Sequence, residues 1–504
     1  MHGRSLLHIV KSKQIQRMKT KLRPFFAIFT LILFSMPLIA QDGFPTLEPS
    51  FVFMEQKAGE VLSAEEIMAA ALEFSGCAST SAAGMIYMEQ FAELKDSIIT
   101  SDFMALEEEA RAERLLELMY EKILVQYEEL QTQMDVLLYN GTYNCVSASV
   151  LYLALSRAAD LFVTGQRTPE HCFCTVYTMD KKIDIETTNP LGFNPGSKKN
   201  LEETARGSRY ATVPKRKYSG RHEVSDRMLI SLIGRNVSSI SMENDDFDTA
   251  VSVAAARYEF LKAEPASSKN DSRDDFDTVC NNYAAKLQHN AMFVDAMLWL
   301  ESVIARYGIT PAVQNSYENA IYNTVLLFCN GMDFAQASSC YEERKDYLSA
   351  KTRSDIEELM FLSEVDYQLS LIDNFDSGIK YLQGVSTNQI VFSNSKVADR
   401  LNKLQENLWL KKINEASMAR KFLEGANIAK DGMNVMPKSS AIKKAYSQCM
   451  DNYAVSVHNS FATVANAADY DTALSILNDG LEKYPESSLL QKDLKSLLKI
   501  MQSQ

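Results

Sequence analysis

Asn144-Cys145-Val146-Ser147-Ala148-Ser149-Val150-Leu151-Tyr152-Leu153-Ala154-Leu155 is the stretch on which the fold of the first half of this 504-residue chain turns. From Val146 to Ala159 the residues are apolar or small nearly all round, the pattern of a helix buried at the centre of a domain. Downstream the period becomes that of strands. His171-Cys172-Phe173-Cys174-Thr175-Val176-Tyr177 and Ile183 to Thr187 are β-rich runs joined by Thr178 to Lys182, and they predict a hairpin. Asn189-Pro190-Leu191-Gly192-Phe193-Asn194-Pro195-Gly196 is a loop by its Pro and Gly punctuation. Upstream the pattern is helical: Ser63-Ala64-Glu65-Glu66 is a capping box ahead of Ile67 to Phe74. Ser101-Asp102 opens a long charged helix through Leu115, Leu116, Met119 and Ile123. A buried helix packed on a small antiparallel sheet makes this region α+β.

From about Asp245 the chain reads as helical to its end, and it repeats. A short acidic turn, an aromatic residue, then small and apolar residues recur in Asp246-Phe247-Asp248-Thr249-Ala250, Phe293-Val294-Asp295-Ala296, Asp333-Phe334-Ala335-Gln336-Ala337, Asn374-Phe375-Asp376-Ser377-Gly378 and Asp469-Tyr470-Asp471-Thr472-Ala473. A weaker copy lies near Ala416 to Lys421. Aromatic to aromatic, the spacings are 46, 41 and 41 residues, then 95, which is two units if the weak copy counts. Self-similarity at this period means stacked helical hairpins, with Ala296, Ala337 and Ala473 leaving room for the neighbouring helix.

Composition narrows the function. Lys19, Lys21 and Arg23 precede an apolar run from Phe25 to Ala40, which reads as a secretory signal over residues 1 to 40. The mature chain is then expected outside the cytoplasm, periplasmic or secreted. An uncleaved run at 25 to 40 would instead anchor it to a membrane. Those 40 residues hold seven Lys/Arg and no Asp/Glu, so their removal takes the formal charge from -13 to -20. So acidic a chain repels phosphate backbones, which argues against a nucleic-acid partner. The one basic stretch, Arg206 to Arg227, reads as a solvated loop. Eight cysteines are too sparse for a disulfide framework; Cys77, Cys280, Cys329, Cys340 and Cys449 read as buried apolar residues. Cys172 and Cys174 alternate along one strand without the spacing or the nearby His of a zinc site. Neither a metal nor another cofactor is expected.

The chemistry sits at the start of the buried helix. Helix N-terminal amides and the dipole lower the pKa of a thiol such as Cys145, and His171 supplies a possible imidazolium partner. On the two strands His171, Phe173 and Thr175 share one face, and Asp184 and Glu186 share one, so either acid can orient the imidazole. His222, in Arg221-His222-Glu223, reads as a helix approach and a minor auxiliary candidate. Each residue alone has a bland reading as packing. The trio in this order points to catalysis, the contrasting reading being a retained fold with lost activity.

A Cys opening an apolar helix, a His opening a strand, and an acid-Thr pair on the next strand resemble the transglutaminase-like superfamily, whose fold is papain-type. Ile185-Glu186-Thr187-Thr188 stands where that family usually has Asp-Pro-Thr, which places the acid at Glu186, with Asp184 as the alternative. The Tyr-Asn-Cys-Val-Ser, Ile-Glu-Thr-Thr-Asn-Pro-Leu-Gly-Phe-Asn-Pro-Gly and Arg-His-Glu-Val-Ser-Asp segments resemble exported bacterial proteins that join such a domain to helical repeats. Ala468 to Pro485 resembles a tetratricopeptide repeat. The resemblance implies a transglutaminase-like domain over 44–236 with a helical N-terminal part, and an all-α solenoid of tetratricopeptide-like repeats over 237–504. It also implies acyl transfer or hydrolysis at an amide or peptide bond: Cys145 attacks, His171 relays the proton, Glu186 orients it, and backbone amides with Asn144 hold the oxyanion. The substrate would be a protein or peptide, with a further protein partner on the repeats. The contrasting expectation is a non-catalytic scaffold in which the first domain is structural and the repeats bind a partner.

Overall fold

The computed structural model describes residues 43–53, 61–195 and 218–502, and divides into two compact units, one ending at Cys280 and one beginning at Asn281. The Phe25 to Ala40 run, Gly196 and most of the basic stretch lie outside the described residues. Among the described residues no helix is long and apolar enough to cross a membrane. The chain is mostly helical with a small antiparallel sheet and a helical-repeat region, an α+β organisation.

The first unit begins with α1 (Ala64–Phe74), capped by Ser63, whose hydroxyl accepts the Glu66 N–H while the Glu66 carboxylate accepts the Ser63 N–H. After α2 (Ala82–Ile98) the expected long charged helix is two helices, α3 (Ser101–Met104) and α4 (Glu108–Lys122), and Ile123 lies just past the second. The break is stabilised by Arg111, which donates to the carbonyls of Met104 and Leu106 that a continuous helix would have consumed. Cys77 lies half-buried in the loop after α1 and not in a helix. Next come β1 (Gln126–Tyr127), α5 (Met134–Asn140) and β2 (Thr142–Tyr143), with β1 and β2 paired in parallel.

The centre is α6 (Cys145–Ala158). Every residue from Val146 to Ser156 is buried, because α1, α4, strands β3 (Phe162–Arg167) and β4 (Cys172–Tyr177), and α7 (Asp226–Glu243) all pack against it. Burying this much apolar surface, at about 25 cal/mol per Å², is the main force holding the unit together. The expected hairpin is present as β4 and β5 (Lys182–Ile185), closed by the Thr178 N–H bonding the Lys181 carbonyl. It forms half of an antiparallel sheet ordered β5-β4-β3-β6, in which β6 (His222–Val224) is an edge strand. His222 thus lies on a strand, paired with Arg167, and the helix it was read as approaching starts only after the Ser225 cap. Arg157, at the end of α6, donates from Nη2 to both carboxylate oxygens of Asp226 at 2.9 Å and from Nη1 to the Val163 carbonyl, fastening α6, α7 and β3 together.

α7 and α8 (Phe247–Phe260) form the first helical hairpin, followed by α9 (Ala266–His289), which runs through the division between the units. The second unit continues with α10 (Phe293–Tyr307), α11 (Pro311–Asn330), α12 (Phe334–Arg344), α13 (Ala350–Ser370), α14 (Phe375–Val385), α15 (Gln389–Ser393), α16 (Ser395–Met418), α17 (Phe422–Val435), α18 (Ser440–Asn466), α19 (Tyr470–Lys483) and α20 (Ser488–Gln502). Helices pack on the next and the next but one in sequence, as in a stack of repeats.

The repeat unit has a uniform physical form. In all six copies the aromatic is the first residue of a helix, and three residues on stands a buried Ala or Gly: Ala250, Ala296, Ala337, Gly378, Gly425 and Ala473. The weak copy is therefore real but starts at Phe422, just past the residues first assigned to it, and it divides the 95-residue interval into 47 and 48. Five of the six turns use a left-handed residue that is not glycine: Asp245, Ala291, Met332, Arg420 and Ala468. In each, the following N–H bonds the carbonyl five residues back, the helix-ending motif that satisfies orphan carbonyls.

Candidate functional site

Asn144 starts the site by ending the chain's freedom ahead of α6. Its Oδ1 accepts the N–H groups of Val146 (2.9 Å) and Ser147 (3.1 Å), Ser147 Oγ accepts the Asn144 N–H, and Nδ2 donates to the Glu129 carbonyl. Asn144 is thus a helix cap whose carboxamide is already engaged. Cys145 is the first residue of the helix and half-buried.

His171 stands immediately before β4 and Glu186 immediately after β5, and because the strands are antiparallel these positions fall at the same end of the hairpin. His171 Nε2 lies 2.8 Å from Glu186 Oε2. His171 also interacts with the Cys145 sulfur, by a hydrogen bond and by charge. Asp184, the other acid considered, accepts a bond from the Thr175 hydroxyl at 2.8 Å and pairs with Arg221. It does not bond His171. His222 borders a separate cavity.

Sequence reasoning paired Glu186 with His171 and quoted Thr188 in its motif, but did not single out Tyr218 as a site residue. Four donors converge on the two oxygens of Glu186: His171 Nε2 and the Tyr218 hydroxyl on Oε2, and the Thr188 N–H (3.2 Å) and hydroxyl (2.7 Å) on Oε1. A buried carboxyl with only donors around it is held ionised. Burial pushes the Glu186 pKa up, but His171, Tyr218 and Thr188 outweigh it and the net direction is down. Tyr218 also packs edge-on against His171 and Phe173. The neighbouring Thr187 hydroxyl bonds Ser149 on α6 at 2.8 Å and its carbonyl accepts from Tyr120, so the acid-bearing end of the hairpin is tied to the helix that carries the thiol.

The sulfur's surroundings favour a thiolate. The Cys172 thiol is the largest influence holding Cys145 well below the usual thiol range; burial opposes it, and His171 adds a hydrogen bond and positive charge. Cys172 is pushed well above that range by Cys145 and by burial, so the proton of the pair stays on Cys172. For His171 burial disfavours the charge, but Glu186 and Cys145 overcome it and raise its pKa to about 10. Both directions favour a thiolate and an imidazolium over the neutral pair. Cys174 shares its face of β4 with Cys172, and both contact Ser149.

A cleft of about 580 Å³ opens beside Cys145 and His171, walled by Tyr127, Glu129, Arg167, Glu170, Arg235 and Asn236. Its basic wall is held from behind. Fully buried Arg257 donates to Asp271 and Asp275, and these pair with Arg167 at 3.0 Å and Arg235 at 3.2 Å. Among the described residues no group of three or more His, Cys, Asp or Glu side chains is placed to hold a metal ion. No protein-family model, curated protein or solved structure matches the chain.

Proposed function

We propose that the first unit is a cysteine-dependent acyl-transfer or hydrolytic domain of transglutaminase-like, papain-type character, acting on amide or peptide carbonyls. The observation that carries this reading is His171, which bonds Glu186 through one ring nitrogen while lending its charge to Cys145 at the start of a buried helix. In the reaction the Cys145 sulfur forms a bond to the carbonyl carbon and the C=O π pair moves to oxygen. Collapse breaks the C–N bond as the His171 imidazolium gives its proton to the leaving amine, leaving a thioester and a neutral imidazole. The imidazole then takes a proton from water, giving hydrolysis, or from an amine, giving a crosslink, and the thiolate departs. Glu186 stays ionised throughout, orienting the ring and balancing its charge. The helical repeats, read as tetratricopeptide-like, would bind a protein partner, and the basic-then-apolar N-terminus marks the chain for export.

Iodoacetamide tests the nucleophile. At pH 6.5 an ordinary thiol is only about one part in a hundred thiolate, so a predominantly ionised Cys145 gains up to about 100-fold in reactive form and gives back roughly tenfold through weaker intrinsic nucleophilicity. Peptide mapping should show Cys145 alkylated about ten times faster than an unactivated thiol, and His171→Ala should remove the advantage. Equal rates in the native protein would refute the reading.

A further inference from the structure

We propose that the phenol hydroxyl of Tyr127, together with the backbone N–H of Cys145, holds the oxyanion that forms when Cys145 attacks a carbonyl. The inference rests on Cys145 being the nucleophile. Asn144 was the side chain expected in this role, but its Oδ1 and Nδ2 are both engaged in capping and in the Glu129 contact. The Cys145 N–H, at the first position of α6, has no acceptor within the helix and sits at the positive end of its dipole. An oxyanion there needs a second donor.

Tyr127 is built into place from the backbone outward. It pairs in parallel register with Tyr143, two residues before Cys145, and the Glu128 N–H bonds the Tyr143 carbonyl at 2.8 Å. Its ring packs edge-on against the fully buried Tyr143 at 5.9 Å, and the Tyr143 hydroxyl is itself bonded to that of Tyr120. The ring therefore has little freedom relative to the sulfur. It lines the same cleft as Cys145 and His171, and among the described residues its hydroxyl bonds no other side chain or backbone group, so it is available to donate into the cleft. Burial, and next the nearby Cys145 charge, push its pKa well above the ordinary range, so it keeps its proton and remains a donor.

p-Nitrophenyl acetate and iodoacetamide separate this role from any other. With the ester, a sulfur–carbon bond forms, the π pair becomes the oxyanion that accepts from Tyr127 and the Cys145 N–H, and collapse expels p-nitrophenolate. Alkylation displaces iodide at a saturated carbon and makes no oxyanion. Tyr127→Phe keeps the ring on Tyr143 and deletes the donor. Its acylation rate should fall roughly 10- to 100-fold, less than the 10²–10³ typical of a lost donor because an activated ester needs less help. Cys145 alkylation should stay within about twofold, which also shows the site is folded. Equal losses with both probes, or no loss with either, would overturn the assignment of Tyr127 while leaving the nucleophile intact. A wild-type Cys145 that alkylates no faster than an ordinary thiol would sink both readings.

Discussion

Replacing Glu186 by glutamine is the sharpest perturbation of the site, because it changes charge with almost no change of shape. The His171 pKa stands at about 10 against an ordinary 6.5. At about 1.4 kcal/mol per unit, that is about 5 kcal/mol of net preference for the imidazolium, on side chains with 4% and 1% exposure. Glu186 is the leading favourable cause. A glutamine in its place removes the charge and turns an NH₂ toward one pair of the four donors that the carboxylate accepts. Losing one member of a buried ion pair costs about 3–5 kcal/mol, or roughly 10 °C in the melting of a unit this size. The pH dependence carries the sign. A raised histidine contributes stability that is complete below 6.5 and lost as pH rises through about 10, and a depressed carboxyl contributes stability that is lost as pH falls through its folded value. The deficit of Glu186→Gln should therefore be greatest near neutrality and shrink toward both extremes. In iodoacetamide profiles followed by peptide mapping, the alkaline step where the imidazolium loses its proton should move down from about 10 toward the range of a free imidazole. A variant whose melting and alkaline step superimpose on those of the wild type would refute the view that Glu186 sustains the imidazolium.

Tyr218→Phe keeps the ring against His171 and Phe173 but removes one donor to Glu186; stability near neutrality should fall by about 1–2 kcal/mol. Because the hydroxyl helps hold that carboxyl low, the deficit should narrow as pH falls through its folded value, whereas a pH-independent deficit in urea titrations would mean the tyrosine only packs. A Cβ on Gly192 would lie 1.9 Å from the Glu186 carbonyl oxygen, so Gly192→Ala must push the loop off the end of β5. It should lower both stability, by about 1–3 kcal/mol, and Cys145 alkylation; an unchanged alkylation rate would show that the loop does not set the acid. Ala468 holds a left-handed backbone that glycine adopts without strain, so Ala468→Gly should stabilise by roughly 0.5–1 kcal/mol, read as a raised urea midpoint, and a lowered midpoint would refute the strain argument.

The central helix and the hairpin were legible in the sequence for physical reasons. An apolar run over several turns can only be buried, and Val146 to Ser156 is buried without interruption. The other half of the sheet gave weaker signals. Gly165 interrupts β3 because Val224 and Leu229 approach where its side chain would be, and a glycine amid polar residues does not read as a strand. A usable clue was Thr168-Pro169-Glu170, a turn between Phe162–Arg167 and the hairpin; the Thr168 N–H does bond the His171 carbonyl. β1 and β2 have two residues each, too few for any period to show. The weak repeat was displaced for a related reason: Lys421 stands where Asp246, Asp333, Asn374 and Asp469 supply a side-chain cap, so its helix start at Phe422 carries a weaker local signal.

The site divides along the same line between what lies close in sequence and what the fold brings together. Period-two alternation puts Asp184 and Glu186 on one face but cannot choose between them. The choice comes from neighbours: Thr175, directly across the sheet from Asp184, and Arg221 engage that acid, while Glu186 lies past the strand where Thr188, His171 and Tyr218 converge. Tyr218 is 32 residues from Glu186 and Tyr127 is 18 before Cys145, separations that carry no periodic signal. An acid that needs several donors to remain ionised in a buried place, and an oxyanion that needs a second donor near a helix terminus, both draw on residues distant in the chain. A nucleophile placed at a helix N-terminus, by contrast, is encoded by its own few neighbours. Sequence therefore exposes the reacting atoms of such a site sooner than the groups that stabilise their charges, and Tyr127 and Tyr218 are where experiments on this site have most to decide.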